Sequence, residues 1–575
     1  MKRIIILTIW LLAIMVVLGG AVAPSSTVPL IVQAENVETA AAVVQAYGGV
    51  VNEQLAIINA VSADVPEKMV SALKADSRAQ FVAQDGAVQA ADSENDEHDK
   101  HDKHDKNDEN DVPTVNFPQV MGVDQVWEEG VDGSGITVAV VDTGIGKLKW
   151  NRHRVIARYD ALDDGPHKKD AFGHGTMMAG LIGNSREDEN GPIGIAPGVN
   201  FVDVRALDEE GKGTYTDIVE GLDWILAHKD EYNIRVANLS LIGGISSPYW
   251  ADPINQAVEA LWDAGVVVVT AAGNAGPDPM TIAAPGNDPF VITVGAFTDN
   301  FTPEDESDDY ITPFSSAGPT EVGFVKPDIV APGAHMITEV RKNSPWVKAH
   351  KDARVDGHFY WTAGTSSSTA VTAGVVALML QENPDMTPNE VKYALTASAR
   401  PAAYGDDSLT WSIFQQGAGR VWAPVAVLDP PQGEANTNMV PGEPYVGPVA
   451  YRDGEFIFVD ENGDPIDEAA GYSWAGGYSW AGGYSWAGGY SWAGGYSWAG
   501  GYSWGGGYSW GGGYSWAGST DWQPWTEGDV WQSGYSWAGG YSWAGGYSWA
   551  GGYSWAGGYS WAGGYSWVGL KNFKD

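Results

Sequence analysis

The chain has 575 residues, 32 Lys+Arg against 73 Asp+Glu for a formal charge of −41, and no cysteine. Such an acid excess argues against affinity for nucleic acid or anionic membrane through a basic surface. Without thiols there is no disulfide framework, no cysteine nucleophile and no thiolate metal site.

Residues 1–23 begin with Lys2 and Arg3, run apolar from Ile4 to Leu18 and end in Gly19-Gly20-Ala21-Val22-Ala23, the order of a secretory signal peptide. The run is shorter than the about 20 residues a bilayer-spanning helix needs, which favours export and an extracellular location. An uncleaved anchoring helix is the alternative, because Pro24 follows the small-residue site. Residues 28–90 then read as a small α+β, ferredoxin-like unit. A strand is expected over Val28–Gln33, a helix over Val37–Tyr47 and two strands with a tight connection over Val50–Val61. A helix follows from Pro66 to about Ala75, and Phe81–Gln84 closes the sheet.

The linker, residues 91–112, is built on DSENDEHDKHDKHDKNDEND, with ten acids, three Lys and three His. Nothing in it is apolar enough to bury, so it reads as a solvated tether, with loose metal binding by His98, His101 and His104 as the alternative. Residues 113–428 form a large α/β domain of roughly 300 residues, ample for one core. Short β-branched runs at Thr137–Val141, Phe201–Arg205, Val236–Leu241, Val266–Thr270 and Phe290–Val294 alternate with helical stretches at Tyr215–His228, Pro253–Ala264 and Ser367–Gln381. This alternation predicts a parallel sheet with helices on both faces.

Three stretches of this domain carry hydrolytic residue types. Asp142 ends a strand in VAVVDTGIG, at the carboxyl edge where α/β proteins place ligands. His174 lies in GHGTMMAGLIG, at the start of an expected buried helix, and Ser366 lies in AGTSSSTAVTAG, at the N-terminus of another. Singly, each reads equally well as structural: a satisfied histidine, a helix cap. Together, Asp, His and Ser in this order with these flanks are the known arrangement of subtilisin. The chain resembles the subtilisin-like serine proteases, the subtilases, from about Val120 to Val427, with VANLSLIGG, TAAGNAGP, FSSAGPT, KPDIVAPG and QGAGRVWA as further matching stretches.

That resemblance implies roles. Ser366 becomes the nucleophile, His174 the general base and then acid, and Asp142 the group orienting the imidazole. Asn274 in AAGN matches the family's side-chain donor to the oxyanion, acting with the Ser366 N–H; losing that donor from subtilisin costs about 10²- to 10³-fold in turnover. Ser240, Leu241 and Gly243 on one side and Ala271, Ala272 and Gly273 on the other resemble the walls of the primary substrate pocket, with Ile242 as an extra residue between them. Ala370 stands where the family usually has proline. The resemblance makes the protein a self-processing endopeptidase acting on proteins or peptides. The unit over 28–90 becomes an inhibitory propeptide cut off between Val88 and Val112. No cofactor is required for the chemistry. Structural Ca²⁺ is an expectation, with Asn184–Asn190 as one ligand source.

After a second linker over 429–470, the tail over 471–575 repeats Tyr-Ser-Trp 14 times, mostly as GYSWAG, and holds 17 of the 27 Trp. If the repeat is extended, its even period puts Tyr and Trp on one face. Attachment to cell-wall polysaccharide, self-association and a flexible spacer all fit this pattern. The alternative for the whole chain is a non-enzymatic surface adhesion protein that uses the repeats on a decayed protease scaffold.

Overall fold

The computed structural model describes residues 26–91, 112–162, 170–402, 410–452, 455–459 and 464–465. The expected leader, the charged body of the first linker and the Tyr-Ser-Trp tail lie outside the described residues. The chain forms two compact units that divide between Asp85 and Gly86.

In the first unit, β1 (Thr27–Gln33), α1 (Val37–Ala46), β2 (Val50–Leu55), β3 (Ala60–Pro66), α2 (Glu67–Lys74) and β4 (Phe81–Gln84) follow the expected order. Asn36 starts α1 by accepting the Thr39 N–H at 2.9 Å, which satisfies one of the helix's orphan donors. The strands pair antiparallel in the order β2-β3-β1-β4. Val43 and Val44 of α1 and Leu73 of α2 bury against Leu30, Val32, Val61, Ala63 and Val65. Alternation along β1 and β3 thus puts one face of the sheet under the helices. The expected tight connection between β2 and β3 is a 3₁₀ turn, Ala56–Ile58, closed by Asn59 at φ 54°. This unit ends at Asp85, so the stretch that sequence assigned to its close, up to residue 90, belongs to the second unit.

The second unit opens with β5 (Ala87–Ala90) and continues through β6 (Thr137–Asp142), β7 (Val155–Asp160), α3 (His174–Gly183), β8 (Asn200–Arg205), β9 (Lys212–Thr214) and α4 (Tyr215–Tyr232). Next come β10 (Ile234–Leu239), β11 (Leu241–Gly243), α5 (Pro253–Asp263), β12 (Val267–Ala271), β13 (Ile292–Thr298), β14 (Tyr310–Ile311), β15 (Ile329–Pro332), α6 (Thr365–Glu382) and α7 (Pro388–Ala397). The main sheet runs β14-β13-β12-β10-β6-β8-β7, with β15 also on β13. Every pair is parallel except β13 with β14. All six residues of β6 are buried, as expected of a central strand covered on both faces. The run expected as one strand over Val236–Leu241 is two: β10 leaves the sheet at Leu239, and Leu241 begins β11, which pairs elsewhere. The strand expected at Phe290 starts at Ile292, because the Phe290 N–H is held in a turn by Asp288 Oδ1 at 2.8 Å.

Helices α3 and α6 pack against each other, and each is buried on all sides over most of its length. Glycine lets a neighbouring segment close on each helix. A Cβ on Gly374 would stand 2.6 Å from Ile195 Cβ, and one on Gly180 would stand 2.6 Å from Thr338 Oγ1. Two hydroxyls of the buried helix α6 turn back to carbonyls, Thr369 to Thr365 at 2.7 Å and Ser368 to Ala331 at 3.1 Å.

Beside β11, Asp252 and Glu321 are almost fully buried. Asp252 caps α5 through the Ile254 and Asn255 amides, and Glu321 Oε1 accepts from Tyr249 N and Asn287 Nδ2. Burial pushes Asp252 up to about 7 and Glu321 up to about 8. Both folded values lie above the ordinary carboxylate range of about 4, so the folded state keeps protons that the unfolded chain has released. Stability is therefore full below about pH 4 for these two groups and is lost as pH rises through 7 to 8. Thermal unfolding of Glu321→Gln, which keeps the Oε1 acceptor, is expected to show a melting temperature that falls less between pH 5 and pH 8 than that of the unsubstituted protein. Parallel curves would show that Glu321 carries no proton into the fold.

Candidate active site

Two carboxyl-edge features of the sheet build the first half of the site. β6 delivers Asp142 at its last residue, and α3 begins with His174. The ring Nδ1 of His174 lies 2.9 Å from Asp142 Oδ1 and 2.8 Å from Oδ2, with both side chains fully buried. Asp142 Oδ1 also accepts the Thr143 N–H at 2.7 Å, which fixes the carboxylate plane. The Thr143 hydroxyl donates to Asp170 at 2.8 Å and accepts the Gly175 N–H at 3.0 Å.

Asp170 ties this half together. It accepts from the Gly173 N–H at 2.6 Å, the Thr176 N–H at 2.9 Å and the hydroxyls of Thr143 and Thr176. Burial pushes its carboxyl up to about 6 against the pull of those four donors. The end of β6 and the first turn of α3 are thereby clamped to one buried carboxyl, while Asp142 holds the imidazole itself at Nδ1. Sequence reading missed Asp170; its spacing four residues before His174, at the entry to a buried helix, was the available signal.

The second half gathers around Gly364, whose φ of +147° precedes α6. A Cβ there would stand 2.6 Å from the Ala91 carbonyl oxygen, 3.0 Å from Ser366 Oγ and 3.3 Å from Asn274 Nδ2. Three atoms of different segments thus meet where only glycine fits. The Asn274 side-chain N–H donates to the Ala91 oxygen at 2.7 Å, and the Ser366 backbone N–H approaches the same oxygen at 3.4 Å. Asn274 is itself held by Thr365, whose N–H and hydroxyl both donate to Asn274 Oδ1 at 2.9 Å. Ser366 Oγ is buried without a hydrogen-bond partner, so the structure does not join it to His174 directly. Its helix and that of His174 are the packed pair α6 and α3. Ala370, in the place of the family's proline, is buried within α6.

The segment that reaches this point is β5. It lies between β9 and β11, antiparallel to both, with Leu241, Ile242 and Gly243 opposite Ala90, Gln89 and Val88. Ala91 N donates to the Ser240 carbonyl at 3.0 Å, and Ala90 N donates to the Gly211 carbonyl at 2.9 Å. Ser240, Leu241 and Gly243 accordingly flank β5. Ala271 ends β12 beside them with Ala272 following it, and Gly273, at φ +113°, would place a Cβ 2.8 Å from Ser316 Oγ. The ladder with β5 runs through Ile242 without a bulge, and its side chain shares the face of Gln89. Val88 and Ala91 are buried, whereas Gln89 is exposed. This peptide-pairing edge was the part of the site least visible in sequence, because Ala87–Ala91 lacks any motif.

The Asn184–Asn190 loop is closed by its own hydrogen bonds. Asp188 spends its oxygens on the Val115 and Asn190 amides at 2.7 Å each, and among the described residues no group of three acidic or histidine side chains could share an ion.

The sequence profile of the Subtilase family matches residues 133–419. An extracellular serine proteinase of Thermus sp. (strain Rt41A) is 30% identical over 358 residues, covering 60% of this chain and 72% of that protein. The chain belongs to the subtilase family. Serine protease AprX of Bacillus subtilis (strain 168) is 43% identical to this subtilase over 270 residues, 46% of the chain. That match spans 61% of AprX. The crystal structure of fervidolysin from Fervidobacterium pennivorans, titled a keratinolytic enzyme related to subtilisin, superposes with a TM-score of 0.55 at 22% identity, covering 71% of this chain and 62% of that one. At that identity the likeness concerns the fold.

In this subtilase, Gly364→Ala is expected to lower peptide hydrolysis by about 10²-fold or more, the size of losing one carbonyl donor. Steady-state kinetics on a folded variant checks it; unchanged turnover would show that the close approach at Gly364 is not needed.

Proposed function

We propose that this subtilase is an exported serine endopeptidase that releases itself by cutting between Ala91 and Asp92. The observation that carries the reading is the Ala91 carbonyl, lying between Asn274 Nδ2 and the Ser366 N–H with its own strand paired on both edges. A carbonyl in that place is polarised by two donors and faces a hydroxyl, the arrangement that acyl transfer needs.

In this reading Ser366 Oγ attacks the Ala91 carbonyl carbon while His174 takes the hydroxyl proton, and Asp142 stabilises the resulting imidazolium without itself accepting the proton. Negative charge develops on the Ala91 oxygen, toward which the 3.4 Å contact to Ser366 N shortens as the carbon becomes tetrahedral. His174 then gives the proton to the Asp92 nitrogen, the C–N bond breaks, and Ala91 remains esterified to Ser366. Water, deprotonated by His174, attacks the ester and frees the Ala91 carboxylate together with Ser366. The same sequence acts on other peptides that pair between β9 and β11. Burial of Ala91 and Val88 favours small or aliphatic side chains at those two positions, while exposed Gln89 places no such demand.

The unit over residues 26–85 with β5 then serves as a propeptide whose end fills the cleft until it is displaced. Relatives named as extracellular proteases support a location outside the cell, and the repeat tail would hold the enzyme there through polysaccharide or through other copies. A purely adhesive role is not favoured, since the relatives are proteases.

Intact mass of the exported protein decides the matter. The unsubstituted chain is expected to yield a mature form beginning at Asp92, and Ser366→Ala is expected to keep residues up to Ala91, because losing the nucleophile costs roughly 10⁶-fold. Equal processing of both proteins in a host without other proteases would sink the reading. Ala91→Arg is expected to block release, since a buried site without a partner for the guanidinium cannot take it.

A further inference from the structure

On a chain of net charge −41, the stretches 147–154 and 341–351 hold eight of the 32 Lys+Arg and no Asp or Glu. Tertiary structure brings both to the same end of α3. Gly146 N donates to Thr176 Oγ1 at 2.7 Å, and a Cβ on Gly146 would meet Arg341 Cδ at 3.4 Å. A Cβ on Gly173 would meet Ser344 Oγ at 2.9 Å and Val340 at 3.1 Å, and Trp346 N donates to the Phe172 carbonyl at 3.1 Å. Both basic stretches therefore flank the helical turn that carries His174. Lys147, Lys149, Arg152 and Arg341 are exposed, and none has an ion-pair partner among the described residues. Neighbouring arginines are spent inside the fold: Arg154 on the carbonyls of Gly183, Pro197 and Val199, and Arg158 on Asp203.

The polarity of the cleft fixes what passes this rim. The acyl half of a bound peptide lies in β5, beside the acidic turn Asp208-Glu209-Glu210 that leads to β9. Its carbonyl ends at Ser366, so the other half leaves on the side of His174, the group that must protonate the departing nitrogen. The chain's own residues divide the same way. Gly86 to Ala91 carry no charge, whereas Asp92-Ser93-Glu94-Asn95-Asp96-Glu97 holds four acids in six residues. We propose that Lys147, Lys149, Arg152 and Arg341 form a subsite for carboxylate side chains on the leaving-group side of the cut, so that the enzyme selects bonds that precede an acidic run. The inference rests on the endopeptidase reading above.

Exposed, unpaired cations beside a cleft raise the local concentration of an acidic segment and add attraction that salt screens, with a Debye length of about 10 Å at 0.1 M. Elsewhere the −41 field repels such segments, so the rim also decides which part of the surface they approach.

Two quenched fluorescent peptides test the subsite with the full-length mature enzyme. Both carry Gly-Ala-Val-Gln-Ala-Ala before the cut; one continues Asp-Ser-Glu-Asn-Asp-Glu and the other Asn-Ser-Gln-Asn-Asn-Gln. The ratio of their kcat/KM values is independent of how much enzyme is folded. At about 20 mM salt the acidic peptide is expected to be cut at least about 10-fold better, and the ratio is expected to fall toward 1 at about 1 M. Lys147→Glu combined with Lys149→Glu is expected to bring the low-salt ratio to 1 or below. A ratio near 1 for the unsubstituted enzyme at low salt overturns the subsite while leaving the endopeptidase standing. A high ratio that the double variant preserves overturns the assignment to this rim. Cleavage of neither peptide by a folded enzyme overturns the endopeptidase reading instead.

Discussion

A hydroxyl is a poor nucleophile at neutral pH, and everything around Ser366 answers to the geometry that would make it a better one. The buried contact between His174 and Asp142 is the constraint on which the rest depends. It needs a strand that ends in a carboxylate, a helix that begins with an imidazole, and no side chains between them. The central position of β6 supplies the first, and Gly175, where a Cβ would stand 3.1 Å from Asp142 Oδ1, the last. The Asp170 network then holds strand end and helix start together, so the backbones that carry Asp142 and His174 are fixed relative to each other.

The same economy governs the other half. Asn274, Thr365 and Gly364 form one unit in which each restrains the next: Thr365 orients the amide of Asn274, and the bare Cα of Gly364 leaves room for a carbonyl. The all-round buried helix α6 carries Ser366 on its second residue, where the backbone N–H is still free to face a ligand oxygen. On this helix Thr369 and Ser368 bond back to carbonyls, whereas the buried Ser366, Ser367 and Thr372 hydroxyls have no hydrogen-bond partner among the described residues. The result is a rigid donor pair aimed at one point, the form of preorganisation that most effectively stabilises developing negative charge.

Charge is distributed with equal consequence. Buried carboxyls at Asp252 and Glu321 lie behind the peptide-pairing edge and hold their protons through burial, while the solvent-facing cations are concentrated beside His174. An acidic protein with a locally basic cleft end presents a directional field to an extended peptide. That field has the same sense as the charge pattern on either side of Ala91.

Much was legible in the residues alone. The β-branched runs alternating with helical stretches pointed to a covered parallel sheet, and the flanks of Asp142, His174, Asn274 and Ser366, taken together in that order, carry the resemblance to the subtilases that singled out those four. Helix starts at Asn36 and Thr214 were equally local, since a side-chain oxygen caps its own neighbours. What sequence could not decide was pairing. Whether Val236–Leu241 is one strand or two depends on which edges lie beside it, and the place of Ile242 depends on a ladder with β5. The role of Ala87–Ala91 depends on strands more than a hundred residues away, and hydrogen-bond partners between backbones leave no mark on side-chain identity. The gathering of the two basic stretches around His174 is of the same kind, for sequence lists their charges and only the packing around α3 makes them neighbours.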